Sequence, residues 1–117
     1  MKDYRIYEPA VNKAIDYILE NLREQLDLKS VANAVNISPF HFHRIFLRVK
    51  NETIFTFIQR TRIEKAKQLI LLREDLFLHE IAYECGFSSQ SLFIKVFRKY
   101  YKMTPYQYKK NNKNNIK

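Results

Sequence analysis

The chain of 117 residues is long enough for one domain or two very small ones, and its 46% hydrophobic residues suffice for a buried core. One glycine and three prolines provide little material for tight turns, which favours long helices over a sandwich of short strands. One cysteine excludes an internal disulfide, no apolar run reaches the ~18 residues of a membrane-spanning helix, and the net charge of +9 favours a polyanionic partner.

Seven helices and no strand are predicted along the chain. The first covers residues 9–22, where Pro9 suits the first turn and the apolar residues recur at helical spacing. A short second helix follows Asp27, a residue type that caps helix N-termini. Ser38 and Pro39 start the third helix, "SPFHFHRIFLRV", by a cap followed by a proline in the first turn.

The longest predicted helix covers residues 54–72 and links the two halves of the chain. A short helix follows over 78–85, and a longer one covers 88–101. The last predicted helix begins after Thr104 as its N-cap. The asparagine-rich segment 110–117 is predicted to be a disordered tail or a linker, because it contains almost no apolar residue to bury.

Two segments of the chain repeat each other. "LKSVANAVNIS" matches "LHEIAYECGFS" in its apolar positions, and after one inserted residue the match continues through the next helix. Asn36 and Gly86 hold the same position in the two copies, and both residue types tolerate a left-handed backbone. Each copy is therefore predicted to be a helix-turn-helix subdomain, in residues 9–51 and 76–109. The predicted fold class is all-α, with the two subdomains joined by the long central helix.

The second helix of each copy has a core stripe and an outward stripe. The core stripes are apolar at helical spacing, and they are Phe42, Ile45, Phe46 and Val49 in the first copy and Phe93, Val96, Phe97 and Tyr100 in the second. The outward stripes are Phe40, His43, Arg44 and Leu47 in the first copy, and Ser91, Ile94, Lys95 and Arg98, with Gln90 beside them, in the second. The outward stripes include Arg, Lys and Gln, which are side-chain types that read base edges in the major groove.

No cofactor, metal site or catalytic centre is expected. His41 and His43 are about 200° apart around a helix, so they cannot easily bind one metal ion together. His41 aligns with Leu92 and is predicted to be packed and hydrogen-bonded, whereas His43 lies on the outward stripe. Cys85 aligns with Val35, which predicts a core residue rather than a nucleophile. An enzyme function is therefore not expected.

Positive charge is concentrated in residues 36–117, which carry sixteen Lys and Arg against six Asp and Glu, whereas residues 1–35 carry five against six. This distribution suggests a polyanionic partner, but charge alone leaves a solvated basic surface equally open and an anionic membrane as a further alternative. Over residues 54–71 the central helix would be ~27 Å long, against ~34 Å between successive major grooves on one face of DNA. One chain could then fill two grooves if the DNA bends. Arg62 lies on the apolar stripe of this helix and is expected to pair with a carboxylate, with a contact to DNA as the alternative.

The segment "IAYECGFSSQSLFIKVFRKYYKMTPYQYKK" is the most specific motif of the chain, and "ISPFHFHRIF" and "RIEKAKQLI" are the motifs of the first half. In these motifs the chain resembles the DNA-binding domain of the AraC/XylS family of bacterial transcription regulators, and the resemblance covers residues 9–109. The resemblance implies base contacts from Phe40, His43 and Arg44 in the first copy and from Gln90, Ser91, Ile94 and Lys95 in the second. Phosphate contacts are expected from Ser38, Arg48, Ser88, Ser89, Arg98 and Lys99. Asn51 and Lys102 stand where the family has glycine, and a left-handed backbone suits Asn51 better than Lys102.

The resemblance also implies partners and a location. It implies an activator or a repressor that binds asymmetric duplex DNA as a monomer and contacts RNA polymerase, in the cytoplasm at the nucleoid, with no membrane partner. Two arrangements are left open, which are the N-terminal, DNA-binding part of a larger effector-responsive regulator and a stand-alone small activator. The alternative functions are a non-specific nucleoid or RNA-binding protein and a helical protein–protein adaptor.

Overall fold

The computed structural model describes the backbone of residues 3–115 and the side chains of residues 3–112. Within these residues the chain forms seven α-helices, one short 3-10 helix and no strand, which confirms the predicted fold class. The α-helices are α1 Glu8–Glu20, α2 Leu28–Ala34, α3 Pro39–Lys50, α4 Ile54–Leu72, α5 Leu78–Glu84, α6 Gln90–Tyr101 and α7 Pro105–Asn115.

Residue contacts divide the chain into two compact units, Met1–Ile58 and Gln59–Lys117, and the predicted linker helix α4 contributes to both. Ile54 is buried in the core of the first unit, and Ile63 is buried in the core of the second. Burying a large aliphatic side chain contributes ~1.5–3 kcal/mol. Each end of α4 is therefore an integral part of one core, and the helix is more than a spacer.

The two cores follow the predicted apolar stripes. In the first unit, the core stripe of α3 packs with buried residues of α1 and α2 and the segment between them, which are Val11, Ala14, Ile18, Leu22, Val31 and Ala32. In the second unit, the core stripe of α6 packs with Ile81, Ala82, Cys85 and Phe87. The ring centroids of Phe42 and Phe46 are 5.9 Å apart, and those of the equivalent Phe93 and Phe97 are 6.0 Å apart. The sequence repeat is therefore also a repeat of side-chain packing.

The turn between the two helices of each copy closes with the same hydrogen bonds. Asn36 has φ 58° and Gly86 has φ 86°, which confirms the left-handed backbone predicted at both positions. The next residue, Ile37 or Phe87, donates its backbone N–H to an alanine carbonyl oxygen five positions earlier, at 3.1 Å and 3.0 Å respectively. This closure is the Schellman motif, which satisfies carbonyl groups left unpaired at a helix C-terminus and turns the chain toward the next helix.

Reciprocal side-chain caps begin two of the helices. At α2, Asp27 Oδ1 accepts from the Ser30 N–H at 2.7 Å, while Ser30 Oγ accepts from the Asp27 N–H at 3.1 Å. At α7, Thr104 and Gln107 cap each other in the same way. Both predicted caps are confirmed, and such caps contribute ~1 kcal/mol each.

The N-terminal segment contains an element that the sequence pattern does not predict. Tyr4–Tyr7 forms a 3-10 helix before α1, and Asp3 caps it by accepting a hydrogen bond from the Arg5 N–H at 3.0 Å. Tyr4 and Tyr7 are partly buried against the first core. The segment is therefore part of the first unit.

The prediction of a disordered tail is wrong for residues 110–115, which continue α7. Asparagine has a low helix propensity, but here the amide of Asn112 donates to the carbonyl oxygen of Tyr108 at 2.8 Å. Tyr108 itself packs against the second core, so the preceding turn is held by tertiary contact. Residues 116 and 117 lie outside the described residues.

Lys102 ends α6 with φ 61°, a left-handed conformation that costs most residues ~1–2 kcal/mol and glycine almost nothing. Replacing Lys102 with glycine removes this strain but also makes the unfolded chain more flexible. We expect Lys102→Gly to raise the free energy of unfolding by about 0.5–1 kcal/mol, measured by urea denaturation. Lys102→Ala keeps the strain and removes the same charge, so an equal gain in that control would assign the effect to charge.

Candidate nucleic-acid interface

The N-terminus of α3 is fixed by a serine cap. Ser38 Oγ accepts a hydrogen bond from the His41 N–H at 3.3 Å, and Pro39 follows as the first helical residue. Phe42 and Phe46 then bury one face of the helix completely. Because burial fixes the orientation of that face, the opposite face of α3 is turned toward solvent.

The three base-reading candidates of the first copy lie together on the solvent-facing side of α3. Phe40 is 76% exposed, Arg44 is exposed and His43 is half-buried. Their spacing of three and four residues makes them neighbours on one helix surface. An exposed ring, an imidazole and a guanidinium are thus presented side by side, and this set can make apolar contacts and donate hydrogen bonds.

The solvent-facing side of α6 has a different chemistry. Its N-cap is Ser89, whose Oγ accepts from the Leu92 N–H at 3.1 Å. The structural equivalent of Ser38 is therefore Ser89, and Ser88 is the residue inserted in the second copy. The base-reading candidates Gln90, Ser91 and Lys95 are exposed, and Ile94 is half-buried. An amide, a hydroxyl and an ammonium replace the ring, the imidazole and the guanidinium of α3.

Both helices are basic and contain no acidic residue. The cations are Arg44, Arg48 and Lys50 on α3 and Lys95, Arg98 and Lys99 on α6. Cations in the last turn also interact favourably with the helix dipole, and that alone would account for two of the three in each helix. The first turns carry no carboxylate, so their backbone N–H groups can interact with an anion without like-charge repulsion.

The phosphate-contact candidates are exposed, with the serine caps already engaged. The oxygens of Ser38 and Ser89 each accept a hydrogen bond from a backbone N–H, which leaves the hydroxyl hydrogen to donate elsewhere. Ser88, Arg48, Arg98 and Lys99 are exposed.

Tyr4 contacts α3 although the sequence pattern did not predict this contact. Arg48 of α3 lies over the ring of Tyr4. The only sequence signal for a role of Tyr4 is its spacing from Tyr7, just before the first predicted helix.

The predicted packing of His41 is wrong. The residue is exposed, and its ring makes a T-shaped contact with that of Tyr7, with centroids 5.6 Å apart and an angle of 84° between the ring planes. The alignment with Leu92 did not indicate burial, because Leu92 is itself 37% exposed. His41 is therefore an edge contact between the N-terminal 3-10 helix and α3.

Two side chains outside α3 and α6, Cys85 and Arg62, were also singled out in the sequence. Cys85 is fully buried, and burial raises the pKa of its thiol to about 12, so the thiol stays protonated and unreactive near neutral pH. Arg62 is half-buried, and burial lowers the pKa of its guanidinium. Its pairing with a carboxylate stays a prediction. Among the described residues, no group of three or more His, Cys, Asp or Glu side chains is arranged to hold a metal ion.

Most of the chain matches a known protein family. Residues 31–111, which include both Schellman turns and both of the basic helices, match the family model described as a helix-turn-helix domain. The chain belongs to the AraC/XylS family. It corresponds to the AraC-type DNA-binding domain, and the matched residues lie in both of the units described above. Within the described residues, none of its helices combines the length and apolar character needed to cross a lipid bilayer.

Three similar proteins illustrate the extent of the match. This AraC-type domain is 34% identical to the uncharacterised transcriptional regulator YbfP of Bacillus subtilis, over 88% of this chain and 35% of that protein. It is 32% identical to the solved C-terminal domain of AraT, a response regulator from Geobacillus stearothermophilus, with a TM-score of 0.84 over 89% of this chain and 86% of that one.

A third structure, the DNA-binding domain of AdpA in complex with a target DNA, has a TM-score of 0.86 over 92% of this chain and 96% of that one. Its sequence identity is 23%, so that likeness concerns the fold. The AraC-type domain spans about a third of the length of the curated relatives that it matches first.

Proposed function

We propose that this AraC-type domain recognises a specific sequence in duplex DNA by inserting α3 and α6 into successive major grooves, and that it regulates transcription by doing so. The observation that carries the proposal is the identical build of the two helices. Each has a serine cap, a buried phenylalanine pair, three cations and no acidic residue. A major groove of B-DNA admits one α-helix, so each helix is a complete reading element.

The exposed side chains suggest how bases are read. Arg44 can donate two hydrogen bonds to O6 and N7 of guanine, and Phe40 can contact the methyl group of thymine. On α6, Gln90 can pair with adenine and Lys95 can donate to guanine, while Ser91 and Ile94 complete the surface. The two sets differ, so we expect a non-palindromic site. The roles of His43 and of these residues rest on their position and exposure in each helix.

Phosphate contacts would set the position of each helix on the duplex. Ser38 and Ser89 can donate their hydroxyl hydrogens to phosphate at the helix N-termini, next to backbone N–H groups. Ser88, Arg48, Arg98 and Lys99 would supply further contacts around the two reading surfaces. Such contacts carry little sequence information, but they contribute much of the affinity and make it depend on salt.

The wider setting is also part of the proposal. We expect the domain to bind as a monomer in the cytoplasm, at the nucleoid, to contact RNA polymerase, and to act by binding without catalysis. In the curated relatives the matched region is about a third of a longer protein, which favours an effector-responsive regulator over a stand-alone activator.

Selection of bound duplexes from a random-sequence pool tests the proposal. We expect one preferred site of roughly 16–20 base pairs, which spans two major-groove segments. The logarithm of affinity should fall linearly with the logarithm of salt concentration, by roughly 0.9 per phosphate contact. Binding without a preferred site, or equal competition by RNA, would favour the non-specific nucleic-acid protein instead. A flat salt response would favour the protein–protein adaptor.

Arg44→Ala should weaken binding to the selected site by about 1–3 kcal/mol and relax base preference in one half of that site only. The residue is exposed on the solvent-facing side of α3, so thermal stability should change little. Lys95→Ala is the matched variant of the second copy and should relax the other half. A marked fall in melting temperature with an unchanged base preference would show that Arg44 is structural.

A further inference from the structure

Arg48 and Lys99 occupy equivalent positions in the two copies, and each lies over a tyrosine ring. Lys99 Nζ is 5.7 Å from the ring centroid of Tyr100, the next residue of α6. Arg48 Cζ is also 5.7 Å from a ring centroid, that of Tyr4. The first copy has Val49 where the second has Tyr100, so α3 cannot supply the ring at that position. The 3-10 helix before α1 supplies it.

The ring of Tyr4 is held in place by its surroundings. It is partly buried against the first core and lies 6.0 Å from the ring of Tyr7. Tyr7 in turn makes a T-shaped contact with the ring of His41, and Asp3 caps the 3-10 helix. The N-terminal segment thus contacts α3 at two places, one in its first turn and one in its last. Arg48 therefore lies over a ring that itself packs against Tyr7 and the first core.

We propose that Tyr4 is a positioning residue for DNA binding, which holds the guanidinium of Arg48 where it contacts a phosphate. This inference rests on the proposed function. A cation over a ring face uses none of its N–H donors in that contact, so the donors of Arg48 remain available to phosphate oxygens. The contact also limits the rotamer freedom that a long arginine side chain would otherwise lose on binding.

Tyr4→Leu tests the inference, because it removes the ring face and keeps apolar packing. It should weaken binding to the selected duplex about two- to five-fold, the effect of one exposed cation–π contact. In an Arg48→Gln background, Tyr4→Leu should have no further effect. Tyr4→Phe keeps the ring and should bind like the unsubstituted chain. Ile6→Ala, at a residue 72% exposed in the same segment, is the matched control and should also bind normally.

The double-mutant cycle and the salt dependence separate positioning from a general structural role. Arg48→Gln should reduce the salt slope by about 0.9, which is one phosphate contact. Equal effects of Tyr4→Leu with and without Arg48 would overturn the inference while leaving the proposed function intact. Failure of the unsubstituted chain to select any preferred duplex from the random pool would overturn both the inference and the proposed function. Tyr4→Met provides the same test if Tyr4→Leu does not fold.

Discussion

A five-base-pair insertion between the two halves of the selected site should reduce affinity about 100-fold or more. Five base pairs rotate one half-site by about half a turn relative to the other, so both helices of one chain could not enter their grooves from the same face. Specific binding exceeds non-specific binding by roughly 10³–10⁷-fold, and the loss of one half-site removes a large share of that ratio. The measurement is a titration of the chain into labelled duplexes of equal length.

The same five base pairs placed outside the site provide the control, because they add length without changing the phase of the half-sites. That duplex should bind like the original. An affinity that survives the internal insertion unchanged would mean that one recognition helix reads DNA alone. Interference footprinting would then show contacts in a single major-groove segment, and the tandem mechanism would have to be given up.

Phe46→Ala and Phe40→Ala should separate folding from recognition on one helix. Phe46 is 0% exposed and lies with its ring centroid 5.5 Å from that of Phe57 of α4, so its truncation leaves a cavity in the first core. We expect a loss of about 3–5 kcal/mol in the free energy of unfolding, measured by urea denaturation. The second unit has its own core, so a biphasic transition is the expected form of the loss.

Phe40→Ala makes the same change at a residue that is 76% exposed. Stability should stay close to that of the unsubstituted chain, while binding to the selected site weakens by about 1 kcal/mol through loss of an apolar contact with thymine. Replacing thymine with deoxyuridine at the contacted position should remove the same energy and make Phe40→Ala silent. A large loss of stability in Phe40→Ala would place the ring in the core and reverse the assignment of the two faces.

Much of the fold follows from local signals in the chain. Caps at Asp27, Ser38 and Thr104 mark helix starts because their side chains accept hydrogen bonds from unpaired N–H groups of the first turn. The repeat gave an independent check on the two stripes, since each position is seen twice with the same apolar character. The candidate site could be placed because the solvent-facing stripe is the complement of the buried one.

The errors have a common physical origin, which is contact between residues distant in sequence. Tyr7 and His41 belong to different elements, and neither the helical periodicity nor the sequence repeat predicts the contact between their rings. The tail composition indicated disorder, but residues 110–115 extend a helix whose Tyr108 is anchored in the second core. Single-residue propensities are small next to such packing, and tertiary contact overrides them.

The sequence by itself determined the seven helices, the two-fold repeat, the left-handed turns at Asn36 and Gly86, and the faces of α3 and α6, because local hydrogen bonding and periodicity set all of these. Only the tertiary structure decided that α4 belongs to two cores and that the N-terminal segment packs on α3. It also decided that Arg48 lies over Tyr4. These features depend on which surfaces meet in three dimensions, and packing energy between distant residues leaves no periodic pattern in the chain.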